Sequence, residues 1–451
     1  MMQEYNTPIP CDIVKDTIEK MGLDDFSQIN IREVSDLSRA IEAASATRFI
    51  HLEMGVPGLP APSIGVEAEC EALHSGVASI YPPTSGIERL KKAASRFAKA
   101  FIGVDIAPQS CMATVGSMQG TFATFLTLHH AYPDRDTILF IDPGFPVQKT
   151  QVEVLGMKHV GFDIHSCRGK QLLEQIEQYF ATGRIVALVY SNPNNPSWVC
   201  LNEEELEGIG RLSSRYQVVV LEDLAYFGMD FRRDLSRPFE SPYQASVARY
   251  TDLYVLTISG SKAFSYAGQR IGVALLSNAL CQRRFETLSD KFGIASLGGV
   301  FAGRILYTLS SGVTHSSQVG LAAMMEAAVN GSYDFVSDVR EYGRRAKFMK
   351  SVLLSNGFYL VYDNDLGDAL ADGFYFTVQY PEMSAVELTR HLMCYGISVF
   401  PLATMGSRQE GVRICTSFID EQQFALFEER ISWFHRNHPL KASVYERNFE
   451  F

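Results

Sequence analysis

Short runs of almost unbroken apolar residues alternate with longer amphipathic stretches through the middle of the chain. The runs TILFIDP (137–143), IVALVYS (185–191), VVVLED (218–223) and LYVLTIS (253–259) read as strands, rich in β-branched residues and too short for helices. Between them, Leu172 to Tyr179 and Glu203 to Arg215 carry helical periodicity. Strands without a polar face are covered on both faces, so the alternation predicts an α/β fold whose large domain has a mostly parallel sheet flanked by helices. Ligands of such sheets bind beyond the carboxyl ends of the strands, which directs attention to the loops that follow these four runs. After about residue 320 the pattern changes. Helical stretches from Val319 to Asn330 and Phe335 to Ser355 lead into strand-like GFYFTV (373–378) and GVRICTSF (411–418), then an amphipathic helix from about Glu421 to Asn437. Residues before about 75 carry helix patterns and the segment MGVPGLPAP (54–62), too rich in glycine and proline for the interior of a regular element. The expected organisation is an N-terminal arm and part of a small domain over 1–75, a large ligand-binding domain over 76–318, and the rest of a smaller α+β domain over 319–451.

Composition narrows the function classes. A chain of 451 residues, 46% hydrophobic and 20% charged, buries an ample core without disulfides, and these values exclude disorder and collagen-like repetition. The net charge of −11 disfavours a surface built to neutralise nucleic-acid phosphates, so an anionic ligand must be caught by a local site. The eight cysteines show no C-x-x-C spacing, so they read as reduced, mostly packed thiols, and no metal site is expected. The N-terminal stretch MMQEYNTPIPCDIVKD lacks the basic and apolar regions of a signal, and no apolar run reaches the eighteen or so residues of a membrane span. The expectation is a soluble, cytoplasmic protein without nucleic-acid or membrane partners.

Four segments carry candidate chemistry. In SGSKAFSYAGQRIG (259–272), directly after a buried strand, Lys262 is placed to form an imine with an aldehyde. Ser259, Ser261 and Arg270 beside it offer the short donors and planar cation that suit a phosphate. In ATVGSMQGTFATFLTLHH (113–130) a glycine-containing loop opens a helix, so the N–H groups of Ser117 and Met118 would point at an anion. In VVVLEDLAYFG (218–228) Asp223 ends a strand, with Tyr226 three residues on. Because Glu222 and Asp223 alternate in direction, only one of them should enter a cleft, where a buried carboxylate needs a partner such as a protonated ring nitrogen. In YSNPNNPSW (190–198) prolines and asparagines shape an irregular loop whose amides suit a phenolic oxygen. Each segment also fits a plainer reading: a lysine in a polar surface turn, an ordinary strand-to-helix turn, an aspartate cap, simple turn chemistry.

Taken in order, Y-P-P-T-S-G (81–86), G-S-M-Q (116–119), D-P-G-F-P (142–146), N-P-N-N-P (192–196), E-D-L-A-Y (222–226), S-G-S-K (259–262) with Arg270, and R-I (413–414) resemble the class I and II aminotransferases, fold-type I enzymes that use pyridoxal 5′-phosphate. The resemblance implies that Lys262 forms the imine with the cofactor aldehyde and later acts as the general base at the substrate Cα. It gives the phosphate to Ser117, Met118, Ser259, Ser261 and Arg270, with Tyr81 reaching in from a neighbouring subunit. It sets Phe145 on the pyridine face, Asp223 on the pyridine nitrogen, and Asn195 and Tyr226 on the ring hydroxyl oxygen. Gly55, Asn195 and Arg413 would receive the substrate, Arg413 gripping its α-carboxylate. The implied activity is ping-pong transfer of an amino group from an L-α-amino acid to a 2-oxo acid by a homodimer in amino-acid metabolism. The alternative is a carbon–sulfur β-lyase or another elimination enzyme of the same fold. A regulator that keeps the fold as an effector sensor would add a basic DNA-binding segment, and none is seen.

Two features depart from the family pattern. The loop N-P-x-N-P-T-G ends here in Ser197 and Trp198, so a residue free to take positive φ is lost and the path after Asn195 is open. Trp198 either lines the substrate pocket or packs the loop onto its domain. A dicarboxylate substrate would need a second cation, for which Lys291 and Arg304 are candidates, although both read more simply as ordinary surface charges.

Overall fold

A computed structural model describes residues 6–23 and 25–440. They form two compact units: one from the residues up to Gly58, Pro196–Val199 and those from Glu341 on, the other from Leu59–Asn195 and Cys200–Arg340. The expected boundaries near 75 and 318 thus move to 58/59 and 340/341. The reason is packing: the helix Ser63–His74 lies against His315–Val329, where a Cβ on Gly65 would press into the Met324 side chain. Glu69 on the first helix accepts hydrogen bonds from Tyr266 and from Ser316 on the second.

The second unit is built on a seven-stranded sheet in the spatial order Cys111–Thr114, Gly272–Leu276, Tyr254–Ser259, Val219–Asp223, Ile185–Ser191, Thr137–Asp142, Lys158–Asp163. Only Gly272–Leu276 runs against its neighbours; every other pairing is parallel. The four apolar runs are four of these strands, buried along their length as their composition requires. The two edge strands and Gly272–Leu276 were not marked as strands by the pattern. Lys158–Asp163 is partly exposed and correspondingly polar, and the other two are only four and five residues long. The expected helices are present and slightly longer, as Lys170–Phe180 and Glu203–Tyr216. The latter begins on a reciprocal cap in which Asn202 and Glu205 bond each other's backbone N–H, and Glu205 also binds Arg168 bidentately.

Strand register brings the loops into line. Ser191 pairs with Asp223, Asp223 with Thr257, Ser259 with Gly272, and Gly272 with Thr114, so one edge of the sheet carries the ends of all the candidate segments. The loops are anchored by an aromatic cluster. The buried Phe97 ring lies 4.7 Å from Phe101, 5.1 Å from Phe227, 5.6 Å from Phe335 and 5.9 Å from Phe264. Phe227 follows Tyr226 and Phe264 comes two residues after Lys262, so this packing holds both candidate loops.

The first unit is α+β and draws on both ends of the chain. Its four-stranded antiparallel sheet has the order Phe400–Pro401, Val412–Cys415, Tyr375–Gln379, Tyr359–Leu360, and Ile50–His51 pairs in parallel with Ile397–Ser398. The helices Cys11–Met21, Ile31–Ser45, Ala385–Cys394 and Glu421–Asn437 enclose a core that includes Val14, Leu37, Leu392, Phe427 and Phe434. All eight cysteines are unbridged, as expected.

Candidate active site

Asp223 is buried at the carboxyl end of its strand. Its Oδ1 accepts from Thr257 Oγ1 at 3.0 Å and its Oδ2 from Gln148 Nε2 at 3.0 Å. Burial pushes the carboxyl up to about 6, against the downward pull of Thr257, the Ala225 N–H and Gln148. Glu222 points the other way, as strand alternation requires, and accepts from Ser246 and from the Val247 N–H. Its carboxyl is pushed up to about 7 by burial. The two adjacent acids are therefore divided between a packed interior and the loop edge of the sheet.

A cradle for an anion forms where the helix Gly116–Ala131 begins. No side chain caps this helix, and the Ser117 hydroxyl oxygen is buried without a hydrogen-bond partner among the described residues. Gly116 takes φ +63°, and a Cβ there would lie 2.7 Å from Arg270 Nη2, so only glycine lets the guanidinium close over the helix end. A Cβ on Gly272 would likewise come 3.3 Å from the Gly116 carbonyl carbon. Arg270 Nη1 donates to Ser261 Oγ at 3.5 Å, and the Ser261 N–H donates to Ser259 Oγ at 3.1 Å. A helix N-terminus, an unused hydroxyl, two further hydroxyls and a guanidinium are the donor set of a phosphate site. Together with the buried Asp223 carboxylate, they fit pyridoxal 5′-phosphate.

Lys262, Asn195, Tyr226 and Phe145 fall on the same strand-end loops. Lys262 lies in the short helical turn Gly260–Ala263 that follows its strand, half-buried. Asn195 and Tyr226 are buried; the Asn195 N–H donates to Ser191 Oγ at 3.1 Å, and Asn194 ties the loop to the Pro143 carbonyl at 3.0 Å. Phe145 is half-buried at the start of Pro146–Val154, and the Met118 side chain is exposed. Tyr81 stands apart from the cradle residues in its surroundings: it is 89% exposed. Lys291 and Arg304 are engaged within their own unit, Lys291 with His130 and Arg304 with the Phe292 and Gly303 carbonyls.

Gly55, Arg413 and Trp198 belong to the first unit. Arg413 is 1% exposed, and its Nη2 donates to the Glu53 carbonyl. Its guanidinium carbon lies 4.6 Å from the Tyr375 ring centre and 5.4 Å from that of Phe400. A Cβ on Gly55 would collide with the Tyr375 phenol, which explains the glycine there. Trp198 takes φ +62°, so the loop keeps the left-handed conformation that the missing glycine would have supplied. It is fully buried and occupies the space over Gly373. Of the two readings of Trp198, the packing one describes its surroundings. Gln148, Thr257 and Tyr375 were not foreseen; each reaches its partner from a distant segment, and none stands in a motif.

A family model described as aminotransferase class I and II matches residues 48–431. Among curated relatives, the glutamate-pyruvate aminotransferase AlaC of Escherichia coli (strain K12) is 28% identical over 50% of this chain and 53% of its own length. The LL-diaminopimelate aminotransferase of Gloeobacter violaceus is 26% identical over 61% of this chain and 64% of its own length. The chain thus spans between half and two thirds of the curated relatives it matches first. Among solved structures, the aspartate aminotransferase from Thermus thermophilus with maleate superimposes with a TM-score of 0.71 at 20% identity, covering 90% of this chain and 96% of that one. The alanine aminotransferase from Pyrococcus furiosus does so with a TM-score of 0.74 at 18% identity, covering 93% and 99%. At these identities the structural likeness speaks to the fold alone.

The Asp223 carboxyl makes a pH-dependent prediction for the cofactor-free chain. Its folded pKa, about 6, lies above the unfolded value of about 3.9, so its contribution to stability is fully present below pH 4 and is lost as pH rises through 6. Asp223→Asn removes that loss. Denaturant unfolding of both proteins should show the variant gaining about 2 kcal/mol relative to wild type between pH 4 and pH 8; a difference that stays flat with pH contradicts the assignment.

Proposed function

Because the chain belongs to the class I and II aminotransferase family, we propose that it transfers an amino group from an L-α-amino acid to a 2-oxo acid in a ping-pong cycle with pyridoxal 5′-phosphate. The observation that carries this reading is the register that sets Lys262, the buried Asp223 and the Ser117–Arg270 cradle at the ends of neighbouring strands. When bound, the cofactor supplies an aldehyde that captures the amino group and a ring that stores the electron pair released at Cα.

The chain's own residues divide the work. Arg270, Ser117, Ser259, Ser261 and the Ser117 and Met118 N–H groups hold the phosphate. Asp223 keeps a proton on the ring nitrogen; a cation there replaces some of the solvation that burial removes from the carboxylate. Asn195 and Tyr226 would bond the ring hydroxyl oxygen, and Phe145 would cover the ring. Lys262 Nζ would anchor the cofactor through its aldehyde and would serve as the general base for the substrate Cα proton. Gly55, Asn195 and Arg413 receive the substrate, with the Arg413 fork matching the α-carboxylate.

We further propose a homodimer in the cytoplasm. Tyr81 has its phenol in solvent, and Ile80, Tyr307 and Leu309 of the same unit are also exposed, the surface expected of a residue that serves a second copy. Unbridged thiols fit a reducing compartment, and no described helix is long and apolar enough to cross a membrane.

Three measurements test this. Titrating the loaded protein with each standard amino acid should convert the cofactor stoichiometrically to its amino form with at least one of them. Lys262→Ala should abolish covalent attachment and slow turnover by at least about 10²-fold. Ammonia and pyruvate released from cysteine-type substrates would favour elimination instead, and full turnover by the alanine variant would refute the role of Lys262. Sedimentation should give a dimer whose phosphate affinity falls in Tyr81→Phe; a fully active, cofactor-saturated monomer contradicts the shared site.

A further inference from the structure

Trp198 is one of two tryptophans in the chain and holds a backbone conformation, φ +62°, that residues with a Cβ rarely adopt. Such a conformation persists when the side chain is held by its surroundings. Here the indole fills the space above Gly373, where any Cβ would collide with its Cε2, Cζ2 and Nε1 atoms. It meets the Tyr375 ring edge-on, with centres 6.1 Å apart and planes at 69°. Tyr375 in turn lies against Arg413, 4.6 Å from ring centre to guanidinium carbon, and its phenol closes over Gly55. The sheet supports the same line of contact. Arg413 pairs in register with Thr377 on one side and Phe400 on the other, and Tyr375 precedes Thr377 by two residues, on the same face.

An arginine side chain is long and flexible, and a bidentate grip on a carboxylate demands one orientation of its planar fork. The Glu53 carbonyl holds one end of that fork, and the Tyr375 and Phe400 rings pack against the guanidinium. Tyr375 is in turn packed by the Trp198 edge from the loop and by the neighbouring Phe374 ring, 5.0 Å away between centres.

We propose that Trp198 is a positioning residue for the substrate α-carboxylate: through Tyr375 it orients the Arg413 guanidinium, and so favours α-amino acids over amines that lack the carboxylate. The inference rests on the reading that Arg413 binds that carboxylate. It assigns the loop's departure from the family pattern a task in substrate selection, with no contact between Trp198 and substrate required.

The test uses the full-length, cofactor-loaded protein with the amino acid that responds most strongly in the titration above, and that amino acid's decarboxylated amine. In Trp198→Gly, which suits the left-handed backbone, KM and the spectroscopic dissociation constant for the amino acid should rise about tenfold, with kcat changing less than about threefold. Values for the amine should move less than about twofold. Trp198→Phe, which keeps a ring edge, should restore most of the loss, and it also serves if the glycine variant folds poorly. In a Trp433→Phe background, where Trp198 is the sole indole, its emission should shift when the amino acid binds and not when the amine binds. If Arg413→Lys weakens the amino acid while the Trp198 variants do not, the positioning role is wrong and the Arg413 reading stands. If Arg413→Lys has no effect, the carboxylate reading fails and the inference falls with it. Equal losses for amino acid and amine, or a fall in kcat with KM unchanged, would show Trp198 to be a packing residue only.

Discussion

A carboxylate buried at the end of a central strand is the constraint around which the large unit is organised. Removing an ionised group from water costs several kcal/mol unless other groups replace its solvation. Around Asp223 that replacement is partial: Thr257, Gln148 and one backbone N–H donate to it, and burial still pushes its carboxyl up to about 6. In the proposed site a cationic ring nitrogen would complete what these neutral donors begin. The neighbouring acid resolves the same difficulty differently. Glu222, facing the interior, is held by Ser246 and the Val247 N–H, and burial pushes its carboxyl up to about 7. Two adjacent carboxylates on one strand thus answer to opposite environments, and only Asp223 is available to the loop edge.

The other end of the cofactor depends on close approach. A chain of net charge −11 offers no general attraction to a phosphate. In the proposed site the attraction is local, from a helix N-terminus, a serine hydroxyl without a partner among the described residues and the Arg270 guanidinium, brought together because Gly116 and Gly272 have no side chains to keep them apart. Pairing of Thr114 and Ser259 with the same residue, Gly272, fixes that approach. The Phe97 cluster then holds the loops on which Tyr226 and Lys262 ride, so the site rests on packed structure rather than on its own hydrogen bonds.

Much of this was legible in the sequence, for identifiable reasons. Strands buried on both faces announce themselves as apolar runs, and the residues that close them, Asp223 and Ser259, carry chemistry. Lys158–Asp163 carries no strand signal because an edge strand needs no continuous apolar run. The division of the chain at 58 and 340 was not visible because it follows from packing of Ser63–His74 on His315–Val329, not from any linker composition. Gln148, Thr257 and Tyr375 were missed because a hydrogen bond or ring contact to a distant segment leaves no local pattern. Trp198 was flagged by its departure from a motif, yet whether it lines a pocket or packs is decided by Gly373, 175 positions away in sequence.

The central claim is that Asp223 holds a protonated pyridine nitrogen. The direct measurement is the ¹⁵N chemical shift of the ring nitrogen in protein loaded with ¹⁵N-labelled pyridoxal 5′-phosphate, followed across pH. The account predicts a protonated nitrogen through pH 8 in wild type and its loss in Asp223→Ala. A nitrogen already deprotonated at pH 7 in wild type, or one unchanged by the substitution, would contradict it.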